Sequence, residues 1–245
     1  MSGHSKWSTI KHQKEAQDQK RGLVFTKLSR AIAIAVRKGG SPDPETNFIL
    51  RLAIEKARSA NMPKENIKKA IERGSGGGEG TVQILKEAVY EGFGPEQVGI
   101  IIETLTDNTN RTVSELKKIF ETKGGSLASP GSVAYLFNKA GFLIVEKVGN
   151  SENQLLKLID LGAEDVEEIQ NGIGVYVQPD QLAHFKEMLV NSGFKVREME
   201  MVMRPKAPIV IKDKKVSEKL LALMDALNEH DNVQKVWVNF NIGIG

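Results

Sequence analysis

The chain contains no cysteine. That excludes disulfides, thiolate metal sites and cysteine nucleophiles, and it suits a reducing compartment, so a cytoplasmic location is expected. Long apolar runs are lacking too. The longest uninterrupted one, Ala31 to Val36, is far too short to cross a bilayer, and no membrane partner is expected. Residues 1 to 21 hold no apolar stretch of the kind a secretory leader needs, and they are Lys-rich with Glu15 and Asp18 among them, unlike an acid-poor mitochondrial leader. Histidine is scarce: His4, His12, His184 and His230, no two of them in His-x-x-x-His spacing. Without cysteine, a structural zinc site would have to gather carboxylates from afar, so no metal is expected. A G-x-S-x-G elbow, a Walker lysine, a kinase motif set and an HExxH helix are all missing. Catalytic triads assemble in space rather than in sequence, so this bears on motif-borne chemistries. The expectation is a non-enzymatic protein with no cofactor and no small-molecule substrate.

What is present is an uneven distribution of charge. The 245 residues, 40% hydrophobic and 27% charged, carry a formal net charge of only +3. Residues 1–78, however, hold sixteen Lys/Arg against seven Asp/Glu, a surplus of nine, while the remainder holds eighteen against twenty-four, a deficit of six. A basic head precedes an acidic body.

The head reads as helical. From Gly22 to Lys38, Phe25, Leu28, Ile32, Ala35 and Val36 share one helical face, with Lys27, Arg30, Arg37 and Lys38 opposite. Gly39, Gly40 and Pro42 end that helix. A second is predicted from Glu45 to Ala60 and a third from Pro63 to Gly74. The stretch GSGGGEG (74–80) fits no G-x-G-x-x-G register and lacks a following Gly-Lys-Ser/Thr, so it reads as a linker.

Beyond it the period changes. EAVYEGF and VGIIIETLT (98–106) read as strands. Thr112 with Glu115 reads as a capping box for a helix ending at Gly124-Gly125, and SVAYLF (132–137) as a further strand. Residues 141–204 spell β-α-β-β-α-β: GFLIVEKV, a helix from Ser151 to Leu161 capped by Ser151 and Gln154, a hairpin turning at Asn171-Gly172, a helix from Asp180 to Ser192, and KVREMEMVM. The segment before this unit is incomplete. Its missing helix and strand are predicted at Ser217 to His230 and VQKVWVNF (233–240), with Pro205 and Pro208 at the return crossing. The fold class is therefore α+β: an all-helical N-terminal domain (1–80), a discontinuous α/β domain (81–138 and 205–245), and an inserted ferredoxin-like βαββαβ domain (139–204).

Two clusters attract a functional reading. GAEDVEE gathers carboxylates at 164, 165, 167 and 168, and a solvated acidic edge strand is the expectation there. The opening stretch GHSKWSTIKHQKEAQDQKRG (3–22) crowds a tryptophan and two histidines among Lys/Arg residues that outnumber the local acids. Lys6, Trp7, Lys11, His12, Lys14, Lys20, Arg21, Lys27 and Arg30 are the candidate nucleic-acid-binding residues: cations for phosphates, with Trp7 either stacking on a base or plugging the helical core.

Several stretches resemble the YebC/PmpR family: GHSKWSTIKH at the start, FTKL (25–28), NMPKENIKKAIERG (61–74), YEGFGP (90–95), LTDNTNRTVSE (105–115) and GSVAYLF (131–137). They occur in order over essentially the whole chain. The resemblance implies a helical N-terminal domain followed by two α/β domains, one inserted in the other. It also implies a probable DNA-binding transcriptional regulator, with a ribosome-associated translation factor that binds ribosomal RNA or tRNA and relieves elongation stalls as the alternative. The expected partner is thus DNA, or ribosomal RNA, tRNA and the ribosome, and a monomer is expected. Four positions depart from the family pattern. Glu96 and Gln97 stand where glycines are usual, Ala128 replaces a glycine before GSV, and Leu23 sits where a basic residue is common.

Overall fold

The computed structural model describes residues 18–76, 85–149, 151–170 and 172–243. Helices α1 (Asp18–Gly39), α2 (Phe48–Ser59) and α3 (Lys64–Gly74) form the head. Leu28, Ile32, Ala35 and Val36 recur at helical spacing on α1 and are buried against Leu50, Ile54 and Ala57 of α2 and Ile67 and Ala70 of α3. Asn47 locks the α1–α2 corner. Its Oδ1 accepts the N–H of Leu50, capping α2, and its Nδ2 donates to the carbonyls of Ala35 (2.9 Å) and Ser41 (2.8 Å). Gly39 makes the corner possible, because a Cβ there would come within 2.1 Å of the Asn47 side chain.

The body contains two four-stranded sheets. The first comprises β1 (Lys86–Phe93), β2 (Gly99–Thr106) and β3 (Ser126–Ala128), with α4 (Thr109–Thr122) between β2 and β3. The chain then builds the second sheet from β4 (Phe137–Val145), α5 (Ser151–Asp160), β5 (Asp165–Ile169), β6 (Gly172–Val177), α6 (Leu182–Asn191) and β7 (Val196–Pro205). It returns through β8 (Ile209–Ile211), α7 (Lys214–Glu229), β9 (Val233–Val238) and β10 (Phe240–Ile242). The second sheet has the order β5-β6-β4-β7 and is antiparallel throughout, the ferredoxin-like arrangement. The first, β3-β1-β2-β9, is also antiparallel. It matches the second strand for strand if β1 takes the third-strand position, which lies at the point where the chain departs to build the second sheet.

Strand alternation decides the layering. Ile100 and Ile102 face α4 and α7, packing on Leu116, Phe120, Leu220 and Leu223. Ile101 faces the other way, with Trp237, and meets Phe142, Tyr176 and Val202 of the second sheet. Leu143, Val175 and Val177 face α5 and α6, packing on Leu158, Phe185 and Leu189. The body is thus four layers, helices–sheet–sheet–helices, with the two sheets face to face. Each fully buried aliphatic or aromatic side chain in these layers contributes roughly 1.5–3 kcal/mol.

The mixed α+β class is as expected, with several local corrections. SVAYLF is not a strand: Ala134–Leu136 form a single 3₁₀ turn and β4 begins at Phe137. The backbone N–H groups of Val133 and Ala134 are bonded to the Glu91 carboxylate and are lost to any ladder. The strand preceding them is Ser126–Ala128. Thr112 does not cap α4. Asn108 does, accepting the N–H of Arg111, while Thr112 lies buried inside the helix with its hydroxyl 2.8 Å from that of Thr106. Ser151 is the first helical residue of α5, and Gln154 reaches back to accept the N–H of Val148 at 2.9 Å. Helix α7 starts at Lys214, capped by Asp213, earlier than Ser217. Ala128, read as a loop position, lies in β3 opposite Glu91.

Candidate nucleic-acid interface

Lys6, Trp7, Lys11, His12 and Lys14 lie outside the described residues. Lys20 and Arg21 belong to α1, though their side chains are outside the description. Lys27 and Arg30, expected on a face open to phosphate, turn instead toward the body. Lys27 Nζ donates to the carbonyl of Asn228 at 2.5 Å. One terminal nitrogen of Arg30 donates to the carbonyl of Asp231 (2.5 Å) and to Asn232 Oδ1 (2.9 Å). These two cations dock the head. The pairs Lys38–Glu87 (2.7 Å) and Lys56–Glu200 (3.7 Å) also bridge head and body. Exposed pairs of this kind contribute about 0–1 kcal/mol each and weaken with salt.

Asn232 is the anchor on the body side. Buried at the turn into β9, it donates from Nδ2 to Thr112 Oγ1 (3.0 Å), and its carbonyl accepts the N–H of Leu105 (2.8 Å). Its own N–H donates to His230 Nδ1 at 3.1 Å. Because Nδ1 accepts, the imidazole proton sits on Nε2, which donates to Glu115 Oε2 at 3.0 Å. The stretch LTDNTNRTVSE thereby packs against the α7–β9 turn, and Arg30 of the head joins the same network.

Between α1, α4 and the end of α7 lies an open groove of about 660 Å³. Arg30, Arg111, Lys118 and Lys123 line it, together with Glu115, Glu229, Asp231 and the polar groups of His230 and Asn232. Arg111 pairs with Asp107 at 2.5 Å and with Glu115 at 3.9 Å. Neither Lys118 nor Lys123 has a polar partner among the described residues. Composition alone does not reveal this groove. Its lysines fall on an ordinary amphipathic helix, and only the packing of α7 and α1 beside α4 makes them one surface.

The head offers a second cationic surface. Arg37, Arg58, Lys64, Lys68, Lys69 and Arg73 are all exposed and without an ion-pair partner among the described residues. On α3 the apolar Ile67 and Ala70 take the core side, which leaves the lysines and Arg73 outward.

The acidic cluster at 164–168 lies on the edge strand β5, as expected, but its members are engaged rather than merely solvated. Glu167 accepts from Tyr176 Oη (2.8 Å), Glu164 from Gln178, Asp165 from Arg204 and Glu168 from Lys147 (3.1 Å). Hydrogen bonds from Ser151 and then Lys147 hold the Glu168 carboxyl below its ordinary pKa. Among the described residues, no group of three or more His, Asp or Glu is placed to hold a metal ion, and no helix is long and apolar enough to cross a membrane.

Comparison with known proteins covers both parts of the chain. A family model for the TACO1/YebC protein N-terminal domain matches residues 5–77, and one for the TACO1/YebC second and third domain matches residues 85–240. Proteins named "Probable transcriptional regulatory protein" from Dictyoglomus turgidum and Persephonella marina are 45% and 46% identical over 244 residues, with 99% of this chain and 96% of each relative covered. A crystal structure of a conserved hypothetical protein from Aquifex aeolicus superposes with a TM-score of 0.83 at 40% identity, over 93% of both chains. With the basic head and the paired-sheet body each matched by its own family model, the chain belongs to the TACO1/YebC family.

Proposed function

We propose that this protein is a non-enzymatic regulator of gene expression that acts by binding nucleic acid, duplex DNA in the first instance, through its basic head. The observation that carries the reading is the set of six exposed head cations, Arg37, Arg58, Lys64, Lys68, Lys69 and Arg73, that have no ion-pair partner among the described residues. Self-pairing does not satisfy them, and a polyanion does. The name "Probable transcriptional regulatory protein" of the relatives supports the choice of DNA.

One observation favours a second reading, ribosomal RNA or tRNA in translation. Ile32, Ala33, Ile34, Ala35 and Val36 of α1 are all buried in succession. That stretch of α1 is covered all round and does not enter a major groove, which favours contacts to phosphate over contacts to bases from this part of the helix. Phosphate is common to DNA and RNA.

Equilibrium binding at fixed salt separates the two readings. A transcriptional regulator binds some promoter fragments at least roughly 10³-fold tighter than random duplex. A translation factor shows no such preference and co-sediments with ribosomes. The arm is tested by changing Lys11, Lys14, Lys20 and Arg21 together to alanine. Four lost phosphate contacts reduce the log–log salt slope on duplex by about 3.6. Wild-type affinity and slope in that variant would remove the arm from the reading, and failure of the wild type to bind any nucleic acid would overturn the function.

A further inference from the structure

The groove beside α4 is built from both halves of the molecule, and its charges are not all accounted for internally. Of its three carboxylates, Glu115 is already engaged by His230 and Arg111. Of its four cations, Lys118 and Lys123 have no partner among the described residues. Arg30 uses one terminal nitrogen for both of its bonds to the body, and its Nε and other terminal nitrogen have no hydrogen-bond partner among the described residues.

The spacing suits a chain of phosphates better than a single anion. Arg111, Glu115, Lys118 and Thr122 line the groove from successive turns of one face of α4. At 1.5 Å per residue, Arg111 and Lys118 stand about 10 Å apart along the helix axis, and Lys123 lies about 7.5 Å further on. A nucleic-acid strand advances about 3.4 Å per phosphate along a duplex, so this row spans several consecutive phosphates. The groove is open to solvent rather than enclosed, so a strand can lie in it.

Resting on the nucleic-acid reading above, we propose that this groove is a phosphate-backbone site for one nucleic-acid strand, formed by Arg111, Lys118 and Lys123 of the body and completed by Arg30 of the docked head. The consequence is reciprocal. No hydrophobic cluster among the described residues is shared between head and body, and the polar contacts of Lys27, Arg30, Lys38 and Lys56 span the two. A strand that touches Arg30 and the α4 lysines together strengthens docking, and docking strengthens its binding by the same factor.

The test uses the full-length chain and a fluorescein-labelled 20-base-pair DNA duplex. Lys118→Ala with Lys123→Ala removes two side chains that make no hydrogen bond or ion pair among the described residues, and such changes at the surface seldom disturb the fold. Losing two phosphate contacts lowers the log–log salt slope by about 1.8, so between 50 and 200 mM salt the wild type loses about 12-fold more affinity than the variant. Since the chain has no native cysteine, Glu55→Cys and Glu187→Cys, both at exposed positions outside the proposed binding surfaces, accept a donor–acceptor dye pair, and duplex binding should narrow the head–body distance distribution. Arg30→Ala should abolish that narrowing. If wild type and Lys118/Lys123 variant share one slope while both bind duplex, the groove assignment is wrong and the nucleic-acid reading survives. If no duplex or RNA binds at all, the underlying reading is wrong. Displacement of duplex by equimolar inorganic pyrophosphate would make this a small-anion site instead, and a widening of the dye distance would overturn the coupling to docking.

Discussion

The carboxylate of Glu91 accepts the backbone N–H of Val133 at 2.5 Å, across 42 residues of sequence. The same side chain accepts from Gly131 (2.7 Å) and Ala134 (2.9 Å), so one residue of YEGFGP organises the start of GSVAYLF. Burial alone would raise the pKa of this carboxyl. The three N–H donors outweigh burial and hold it below its ordinary value.

Glu91→Gln should therefore destabilise the protein by about 1–3 kcal/mol at pH 7, because a neutral amide replaces a carboxylate that satisfies three donors. The sign of the pH dependence follows from the lowered pKa. The stabilisation from ionised Glu91 is complete above the unfolded-state value of about 4.3 and is lost as pH falls through the lower folded value. Urea melts of wild type and variant should show a stability gap at pH 7 that shrinks below about pH 4. A gap of equal size at both pH values would refute this role.

Glu96 (φ 57, ψ 29) and Gln97 (φ 56) adopt the left-handed conformation where the family usually has glycines. A side chain there costs about 1–2 kcal/mol, and glycine gives back about 0.4–1 kcal/mol in the unfolded chain. Glu96→Gly and Gln97→Gly should each stabilise by about 0.5–1 kcal/mol in chemical denaturation. Ala128 has no such strain, since it lies in β3 paired with Glu91. Ala128→Gly should instead cost about 0.5–1 kcal/mol. Stabilisation by all three changes would show that the backbone, rather than the residue types, had been misread.

Asn232→Ala removes a buried side chain that holds both Thr112 and Arg30. A loss of about 1–3 kcal/mol is expected, and Arg30→Ala in that background should cost less than it does alone, because the shared bond is already gone. Strictly additive losses in the double-mutant cycle would mean that the bond contributes nothing to docking.

We further propose that residues 139–204 fold as an independent unit, whereas 81–138 do not. The former carry all of the β5-β6-β4-β7 sheet except the outer ends of β4 and β7, together with α5 and α6. The latter lack α7 and β9, whose Leu220, Leu223, Val236 and Val238 complete the core under β2. Dispersed amide NMR signals from an isolated 81–138 fragment would contradict this division.

The periodic elements are legible in the amino-acid order alone. Leu28, Ile32 and Ala35 at helical spacing specify α1, the Ile100–Ile102 run specifies a strand, and the β-α-β-β-α-β order over 141–204 follows from local pattern and turn residues, although the structure starts its first strand earlier, at Phe137. The charge asymmetry that points to a polyanion is likewise a property of composition. The tertiary structure decided whatever depends on a distant partner. SVAYLF has the composition of a strand, yet Glu91 takes its N–H groups and bends it into a turn. Thr112 and Glu115 have capping-box spacing, yet Thr106 and Asn232 draw Thr112 into the core and leave the cap to Asn108. Lys27 and Arg30 lie on the polar face of α1 as their spacing requires, but spacing fixes only the face. Whether that face meets solvent, nucleic acid or the carbonyls of Asn228 and Asp231 is set by how the head docks, a long-range contact that no local pattern encodes.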